Sequence, residues 1–183
     1  MEAFESVRLR WRATEHVGWT GWKSGTSWSV FLPRIALAFV FLWSGYQKVL
    51  TDLSGKMATQ GFLGGSSVAS GPFAGFFASL AGNWTVEVLI VSGEVAIGIS
   101  LLLGLFTRAG SVAGMLMMLI FTVAMWPIAD VAGGNPAVDI RVIYGLMFLM
   151  FFFLRPGLFL GADSVLENTA AVRRHPRLKL LLG

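Results

Sequence analysis

One carboxylate, Glu94, lies in the middle of the apolar stretch LIVSGEVAIGISLLLG, residues 89–104. Burying a carboxylate among such side chains is unfavourable unless the group is paired, solvated or protonated. A carboxyl group in an apolar environment can relay protons, so Glu94 is the candidate catalytic residue, serving proton exchange with a quinone or lining its pocket. The alternative is structural: an ion pair, for which Arg34 or Arg141 is long enough, or a protonated carboxyl bonded to a backbone carbonyl.

A second set of polar and aromatic residues is predicted near the outer ends of the apolar segments. Cations together with aromatic and amide groups can hold a small anion or a quinone headgroup. The same residue types also serve as ordinary anchors at a membrane boundary. The candidates for substrate or quinone binding are Lys48, Arg141, Trp43, Gln47, Glu87, Asp139 and Tyr144.

The composition indicates a membrane protein. Of the 183 residues, 55% are hydrophobic and only 13% charged, and the mean hydropathy is +0.71. Crossing the hydrocarbon core requires about 20 apolar residues in a helix. Four segments meet this requirement, and they predict an all-α, integral membrane four-helix bundle with spans at about 29–50, 84–106, 108–127 and 138–155.

The distribution of basic residues predicts the orientation. Residues 1–28 form a basic, tryptophan-rich head, residues 29–155 the four-helix domain, and residues 156–183 a basic tail. Because basic segments stay on the cytoplasmic side, both termini are predicted to be cytoplasmic in a multi-pass protein of the cell membrane. Basic segments beside a membrane meet lipid headgroups, so the lipid bilayer is the expected partner and a nucleic acid is not.

The scarcity of redox ligands limits the chemistry of the chain. It has no cysteine, and its two histidines, His16 and His175, lie in the head and tail. Disulfide exchange, thiolate-held iron–sulfur clusters and haem between the spans are therefore excluded. No metal, haem or flavin is expected, and a membrane quinone is the expected diffusible electron acceptor.

Helical spacing predicts two contact faces on the second span. A helix advances about 100° per residue, which places Glu87, Glu94 and Gly98 in one narrow sector. On nearly the opposite side, residues Ser92, Ala96, Ser100 and Gly104 form a small-residue stripe that allows another helix to approach closely. In the loop before this span, the segment from Pro72 to Ala81 is predicted to form a short helix. This helix either covers a site between the spans or is a passive cap at the membrane interface.

Four motifs together resemble the DoxX/DoxD family of prokaryotic membrane proteins. They are PRIALAFVFLWSGYQKVL, GEVAIGISLLLGLFTRAGSVAG, NPAVDIRVIYGLMFLM and RPGLFLGADSVL, and the resemblance covers roughly residues 30–167. The long glycine-rich first loop is more similar to the DoxD branch. The family pattern marks Arg34, Gly45, Lys48, Gly93, Glu94, Gly98, Gly104, Arg108, Asp139 and Asp163.

The resemblance implies a membrane subunit of thiosulfate:quinone oxidoreductase. In the DoxD branch this subunit oxidises thiosulfate to tetrathionate, passes the electrons to membrane quinone, and works with a smaller DoxA-like subunit. The first alternative is a non-catalytic accessory or assembly subunit of a larger respiratory membrane complex. The second is a small transporter with Glu94 as its coupling carboxylate, which the lack of an inverted repeat disfavours.

Overall fold

Every regular element in the described part of the chain is helical. The computed structural model describes residues 25–65, 68, 71–125, 138–169, 172, 174 and 176–182. Most of the predicted head, up to residue 24, lies outside these ranges. The helices are α1 Gly25–Leu53, α2 Ala58–Leu63, α3 Ala74–Leu80, α4 Trp84–Leu103, α5 Thr107–Ala124, α6 Ile140–Leu154 and α7 Ala162–Leu166, with 3₁₀ turns at Pro156–Leu158 and Pro176–Leu180.

Three helices are long and apolar enough to cross a membrane. They are Ser27–Leu53 within α1, then α4 and α5, with mean hydropathies of 1.5, 2.1 and 1.5. The fourth apolar helix, α6, has 15 residues. The prediction of an all-helical membrane protein is therefore confirmed, whereas the crossing by α6 and the cytoplasmic placement of the termini stay predictions.

Local capping explains where α4 begins and ends. The Asn83 side chain accepts hydrogen bonds from the backbone N–H groups of Thr85 and Val86, as an N-cap does. At the other end Gly104 is left-handed, with φ of 63°. The Leu105 N–H then donates back to the Ser100 carbonyl at 2.9 Å, which completes a glycine C-cap.

Glycines allow the helices to pack closely in two pairs, α1 with α4 and α5 with α6. A Cβ on Gly45 of α1 would lie 2.6 Å from a Val95 methyl group, and one on Gly98 of α4 would lie 2.7 Å from Leu42. On α5, a Cβ on Gly114 would lie 2.3 Å from the Phe148 ring. Small residues are the expected means of helix association in lipid, where close packing replaces the hydrophobic effect.

The four long helices share one apolar core. It is built on Leu37 and Phe41 of α1, Leu101 of α4, Met118 of α5 and Phe148 of α6, all of them buried. The Phe41 and Phe148 rings meet edge to face with centroids 5.2 Å apart. This core joins the two helix pairs into a single bundle.

The loop before α4 folds over one end of the bundle, which we call the loop end. The predicted helix in residues 72–81 is present as α3, where Phe77 is buried while Phe73 and Phe76 are exposed. Together with α2 it forms a second apolar cluster, in which Leu63 and Phe77 pack with Ala124 of α5. We refer to α2, α3 and their connection as the lid.

Arg34 and Asp163 fasten the opposite end, which we call the tail end. Arg34 is fully buried and donates hydrogen bonds to the carbonyls of Pro156, Phe159 and Leu160. Asp163 accepts hydrogen bonds from the N–H groups of Phe106 and Thr107 and from the Thr107 hydroxyl. Arg34 is thus engaged far from Glu94, so the prediction that it pairs with Glu94 is wrong.

Among the described residues, the small-residue stripe on α4 makes close contacts in its tail-end half. Ser100 lies against Gly110 of α5, and Gly104 lies against Gly161 and Arg34, so the predicted close approach occurs at these two residues. Ser92 and Ala96 are exposed. The close contact with α1 uses the opposite face, at Gly98.

Candidate functional site

Glu94 is paired with Lys48 of α1. The Lys48 ammonium lies 2.7 and 2.6 Å from the two Glu94 carboxylate oxygens and 2.8 Å from the Ser44 hydroxyl oxygen. The Glu94 side chain is 3% exposed and that of Lys48 is 21% exposed. The carboxylate is therefore held inside the bundle, while its partner reaches toward the surface.

This pairing corrects the predicted partners of Glu94. Arg141, the second residue proposed for that role, donates instead to Asp139 and to the Phe121 carbonyl. A cation on α1 reaches Glu94 because α1 and α4 approach each other at Gly45 and Gly98. Of the two structural alternatives, the geometry is that of an ion pair.

An open cleft with a volume of about 530 Å³ lies beside the pair, on the face of α1 that includes Ser44 and Lys48. Successive lining residues on α1 recur at helical spacing, and the first residue of α2 completes the wall. The cleft therefore lies between a candidate membrane span and the lid. Its lining residues are Val40, Trp43, Ser44, Gln47, Lys48, Thr51 and Ala58.

Three predicted binding residues, Trp43, Gln47 and Lys48, line this cleft together. Trp43 is 63% exposed and packs against Tyr46, with ring centroids 5.7 Å apart. Because Lys48 also contacts Glu94, the structure joins these three residues and the candidate catalytic carboxylate in one site. Their roles in binding stay predictions.

Glu87 is turned toward the lid. Its carboxylate is fully buried and accepts hydrogen bonds from the Thr59 N–H, at 3.1 Å, and from the Thr59 hydroxyl. Thr59 lies in the first turn of α2, where free N–H groups favour an acceptor with negative charge. This contact fastens the lid to α4, and a direct role for Glu87 in substrate binding stays a prediction.

Asp139 and Arg141 form their own ion pair at the start of α6. Asp139 caps the helix by accepting from the Arg141 N–H at 2.7 Å, and the Arg141 side chain donates back to both carboxylate oxygens. Although residues two apart do not share a helix face, Asp139 lies outside the helix and can bend toward it. Arg141 also reaches α5 through the Phe121 carbonyl at 3.2 Å.

Tyr144 packs partly buried against the core of the four helices. It is therefore not among the residues that line the cleft. The cleft lining thus does not include Glu87, Asp139, Arg141 or Tyr144.

Sequence reasoning omitted three polar or small residues of the site, Ser44, Thr51 and Ala58. The i,i+4 spacing of Ser44 and Lys48 was the available signal for the first contact. Nothing in the sequence indicates that Ala58 of the lid returns to the face of α1. Within the described ranges, no group of three or more histidine or acidic side chains could hold a metal ion.

The family model described as DoxX matches residues 29–126, which contain most of α1, all of α2 to α5 and both members of the Lys48–Glu94 pair. No curated protein and no solved structure matches this chain. The match confirms the family indicated by the sequence motifs and covers more than half of the residues. The chain belongs to the DoxX family.

Proposed function

We propose that this protein is the membrane subunit of a quinone-linked oxidoreductase, in its most specific form one that oxidises thiosulfate to tetrathionate. The observation that carries the proposal is the buried Lys48–Glu94 pair beside an open cleft on a candidate membrane span. Intramembrane ionisable groups mark pathways for protons and substrates more often than they serve packing alone. A DoxA-like second subunit or a larger complex is the proposed partner.

The cleft suits a quinone headgroup in size and chemistry. Its volume of about 530 Å³ falls within the range of roughly 300–1,000 Å³ for small-molecule sites. Val40 and Trp43 offer apolar contact, while the Gln47 amide offers hydrogen-bond donors for a carbonyl oxygen. A quinone diffusing in the bilayer would enter from the side of α1.

Glu94 would supply the protons that the reaction consumes. Two thiosulfate ions joined by a new S–S bond give tetrathionate and release two electrons, and a quinone that accepts these electrons takes up two protons. Glu94 touches Lys48, and Lys48 lines the cleft. A carboxyl group at this position can deliver protons through the ammonium group or through water beside it.

Protonation of Glu94 would also change the charge of the site. While both groups are ionised, the pair carries no net charge and Lys48 is engaged. Once Glu94 takes up a proton, the Lys48 ammonium becomes an unbalanced cation beside the cleft, which attracts an anion such as thiosulfate. Proton uptake and anion binding would therefore support each other at this pair.

The second candidate function is that of a non-catalytic accessory subunit. It is favoured by Ser92 and Ala96, the two residues of the small-residue stripe nearer the loop end. Both are exposed, and a helix of another subunit could approach them closely. In this function the Lys48–Glu94 pair would only hold α1 against α4. The two candidates differ in whether a neutral replacement of the pair abolishes turnover.

The test is thiosulfate-dependent quinone reduction in membranes from matched cells with and without the chain. Glu94→Gln should lower turnover per molecule of protein in the membrane at least tenfold, because general acid–base groups contribute about 10²–10⁴-fold. Lys56→Gln, which neutralises an exposed lysine at the loop end, is the matched control and should keep full activity.

The double variant Lys48→Met/Glu94→Met separates chemistry from packing. Replacing both members of a buried ion pair by apolar residues is often neutral for stability, whereas removing one costs about 3–5 kcal/mol. A double variant that folds normally but is inactive supports the oxidoreductase. A folded double variant with full activity would contradict it and leave the accessory function.

A further inference from the structure

Two arginines at the tail end, Arg108 and Arg155, are brought to one place by the packing of α5 against α6. Arg108 lies in the first turn of α5, and its guanidinium carbon is 4.6 Å from the centroid of the Phe152 ring. Arg155 follows α6 directly and donates to the Leu182 carbonyl at 3.3 Å. The neighbouring Ala109 N–H donates to the Leu181 carbonyl, also at 3.3 Å. The Arg155 side chain and the residue after Arg108 therefore contact the same short segment of the tail.

Neither arginine forms an ion pair with a carboxylate among the described residues. At this end Asp163 receives the hydrogen bonds of Phe106 and Thr107, and Glu167 lies 3.7 Å from Lys179. The Nε atoms of both arginines are buried and lack a hydrogen-bond partner within the described part of the chain. The two positive charges are also near enough to repel each other.

The backbone at Arg155 is one that glycine could adopt in its place. Its φ of 52° is left-handed, a conformation that glycine adopts without strain and that other residues adopt at a cost. Phe106 and Leu160 at the same end of the molecule have a similar backbone, with φ of 51° and 48°. Glycine at position 155 would therefore remove the guanidinium group without straining the turn.

Exposed apolar side chains lie next to these charges. Phe153 and Leu154, immediately before Arg155, are 64% and 45% exposed. Acyl chains can lie against these two side chains while a headgroup reaches the guanidinium groups. Arginine binds phosphate through two parallel hydrogen bonds, and basic pockets between membrane helices bind anionic headgroups in this way.

We propose that Arg108 and Arg155 form a binding site for the phosphate of an anionic phospholipid headgroup. The bound phosphate compensates the repulsion between the two guanidinium groups and accepts hydrogen bonds from their terminal N–H groups, whereas the buried Nε atoms stay out of its reach. The lipid then joins the start of α5, the end of α6 and residues 181–182. The site is distinct from the Lys48–Glu94 pair, which lies toward the loop end on α1 and α4.

The test is native mass spectrometry of the purified full-length protein in detergent, with phosphatidylglycerol and phosphatidylcholine offered in equal amounts. The wild-type protein should retain phosphatidylglycerol preferentially. Arg108→Gln and Arg155→Gly should each lower this retention about fivefold, since a basic residue near an anionic surface contributes that factor. Arg174→Gln, which removes one exposed charge from the same end, should leave it unchanged.

The Arg155→Gly variant separates loss of lipid binding from loss of folding. It is expected to fold, because glycine readily adopts the left-handed backbone. It should unfold at the same temperature as the wild type or above it when only phosphatidylcholine is present, and lose the additional stabilisation by phosphatidylglycerol. Arg155→Lys should restore part of that stabilisation. Equal retention of the two lipids, or equal losses in the Arg155→Gly and Arg174→Gln variants, would overturn the proposal.

A parallel measurement with inorganic phosphate distinguishes the source of the anion. Millimolar phosphate should leave the unfolding temperature nearly unchanged, since the exposed apolar side chains contribute only when acyl chains are present. Stabilisation by phosphate equal to that by phosphatidylglycerol would assign the two arginines to a free anion and overturn the lipid site.

Discussion

Gly98 lies where α1 and α4 approach each other without a side chain between their backbones. A Cβ there would lie 2.7 Å from the Leu42 side chain and 3.0 Å from its backbone nitrogen. Rotation of the Leu42 side chain alone would not make room for the Cβ, because the Leu42 backbone nitrogen lies nearly as close. The helices themselves would have to separate. Lys48 reaches Glu94 across this same interface.

Gly98→Ala should therefore destabilise the bundle by roughly 1–3 kcal/mol, as overpacking of a tight interface does. The matched control is Gly145→Ala on α6, where the added Cβ would find its nearest neighbour at 3.9 Å. That change should be neutral or slightly stabilising, because alanine is the better helix former. Thermal unfolding in detergent compares the two variants, and equal effects would contradict the close approach at Gly98.

A single residue of the site was predictable where the sequence shows that burying it is unfavourable. Glu94 stands out because a carboxylate interrupts an apolar stretch. Its partner was not predictable, because Lys48 lies 46 positions earlier and meets Glu94 only through the pairing of α1 with α4. Arg34 and Arg141 were equally long and equally charged, and only packing distinguishes the three.

At the scale of elements, the lid depends on one buried carboxylate. Glu87 on α4 accepts two hydrogen bonds from Thr59 of α2, and Asp52 accepts a third from the Ala58 N–H at 3.1 Å. The apolar cluster beneath the lid includes Ala124, which is only 2% exposed. Opening of the lid would expose Ala124 and widen the cleft beside Lys48.

Loss of the Glu87 carboxylate should make Ala124 accessible. Because the chain has no cysteine, Ala124→Cys provides a single reporter whose reaction with a maleimide measures lid opening. Glu87→Ala should raise its labelling rate at least about fivefold, since a hydrogen bond to a charged group contributes roughly 1.5–3 kcal/mol. Glu87→Gln, which keeps an acceptor oxygen, should raise it less.

The control reporter is Gly61→Cys, on the exposed side of α2, where an added Cβ meets no atom within 4 Å. Its labelling rate should be the same with and without the Glu87 change. Unchanged labelling of Ala124→Cys in the Glu87→Ala variant would show that the apolar cluster alone holds the lid closed.

The ends of a helix were predictable to within a few residues where the sequence contains typical capping residues. Asn83 and Gly104 bound α4, and the predicted second span already began at residue 84. The α3 helix was predictable from its phenylalanines. The attachment of the lid to α4 was not predictable. A glutamate at position 87 looks the same in the sequence whether it binds substrate or accepts hydrogen bonds from the first turn of α2.

At the scale of the whole molecule, the distribution of charge predicts which side each end faces. Lys56 is exposed at the loop end and Arg174 at the tail end. Single cysteines at these two positions, treated with a membrane-impermeant maleimide, report the orientation. Lys56→Cys should react in intact cells, and Arg174→Cys only after lysis.

A matched reaction after lysis shows that both cysteines are present and accessible. Labelling of Arg174→Cys in intact cells, with protection of Lys56→Cys, would reverse the predicted orientation. It would also move the cleft and its approach for thiosulfate to the cytoplasmic side.

The class of the molecule followed from composition, while the pairing of its helices did not. Runs of apolar residues set the number of candidate spans, since each must match the hydrocarbon thickness. That α1 pairs with α4 and α5 with α6 depends on glycines meeting particular side chains, such as Gly114 and Phe148. The sequence shows the glycines but not the side chains that each of them contacts.

The unequal helix lengths have a consequence for the membrane itself. At about 1.5 Å per residue, the 29 residues of α1 extend about 43 Å and the 15 residues of α6 about 22 Å. Were α6 to cross the membrane, as the sequence predicts, a hydrocarbon core of about 30 Å would have to thin beside it but not beside α1. The bilayer would then be thinner on the side where α5 and α6 pack together than on the side of α1. Short-chain lipids or a neighbouring subunit would relieve the hydrophobic mismatch on that thinner side.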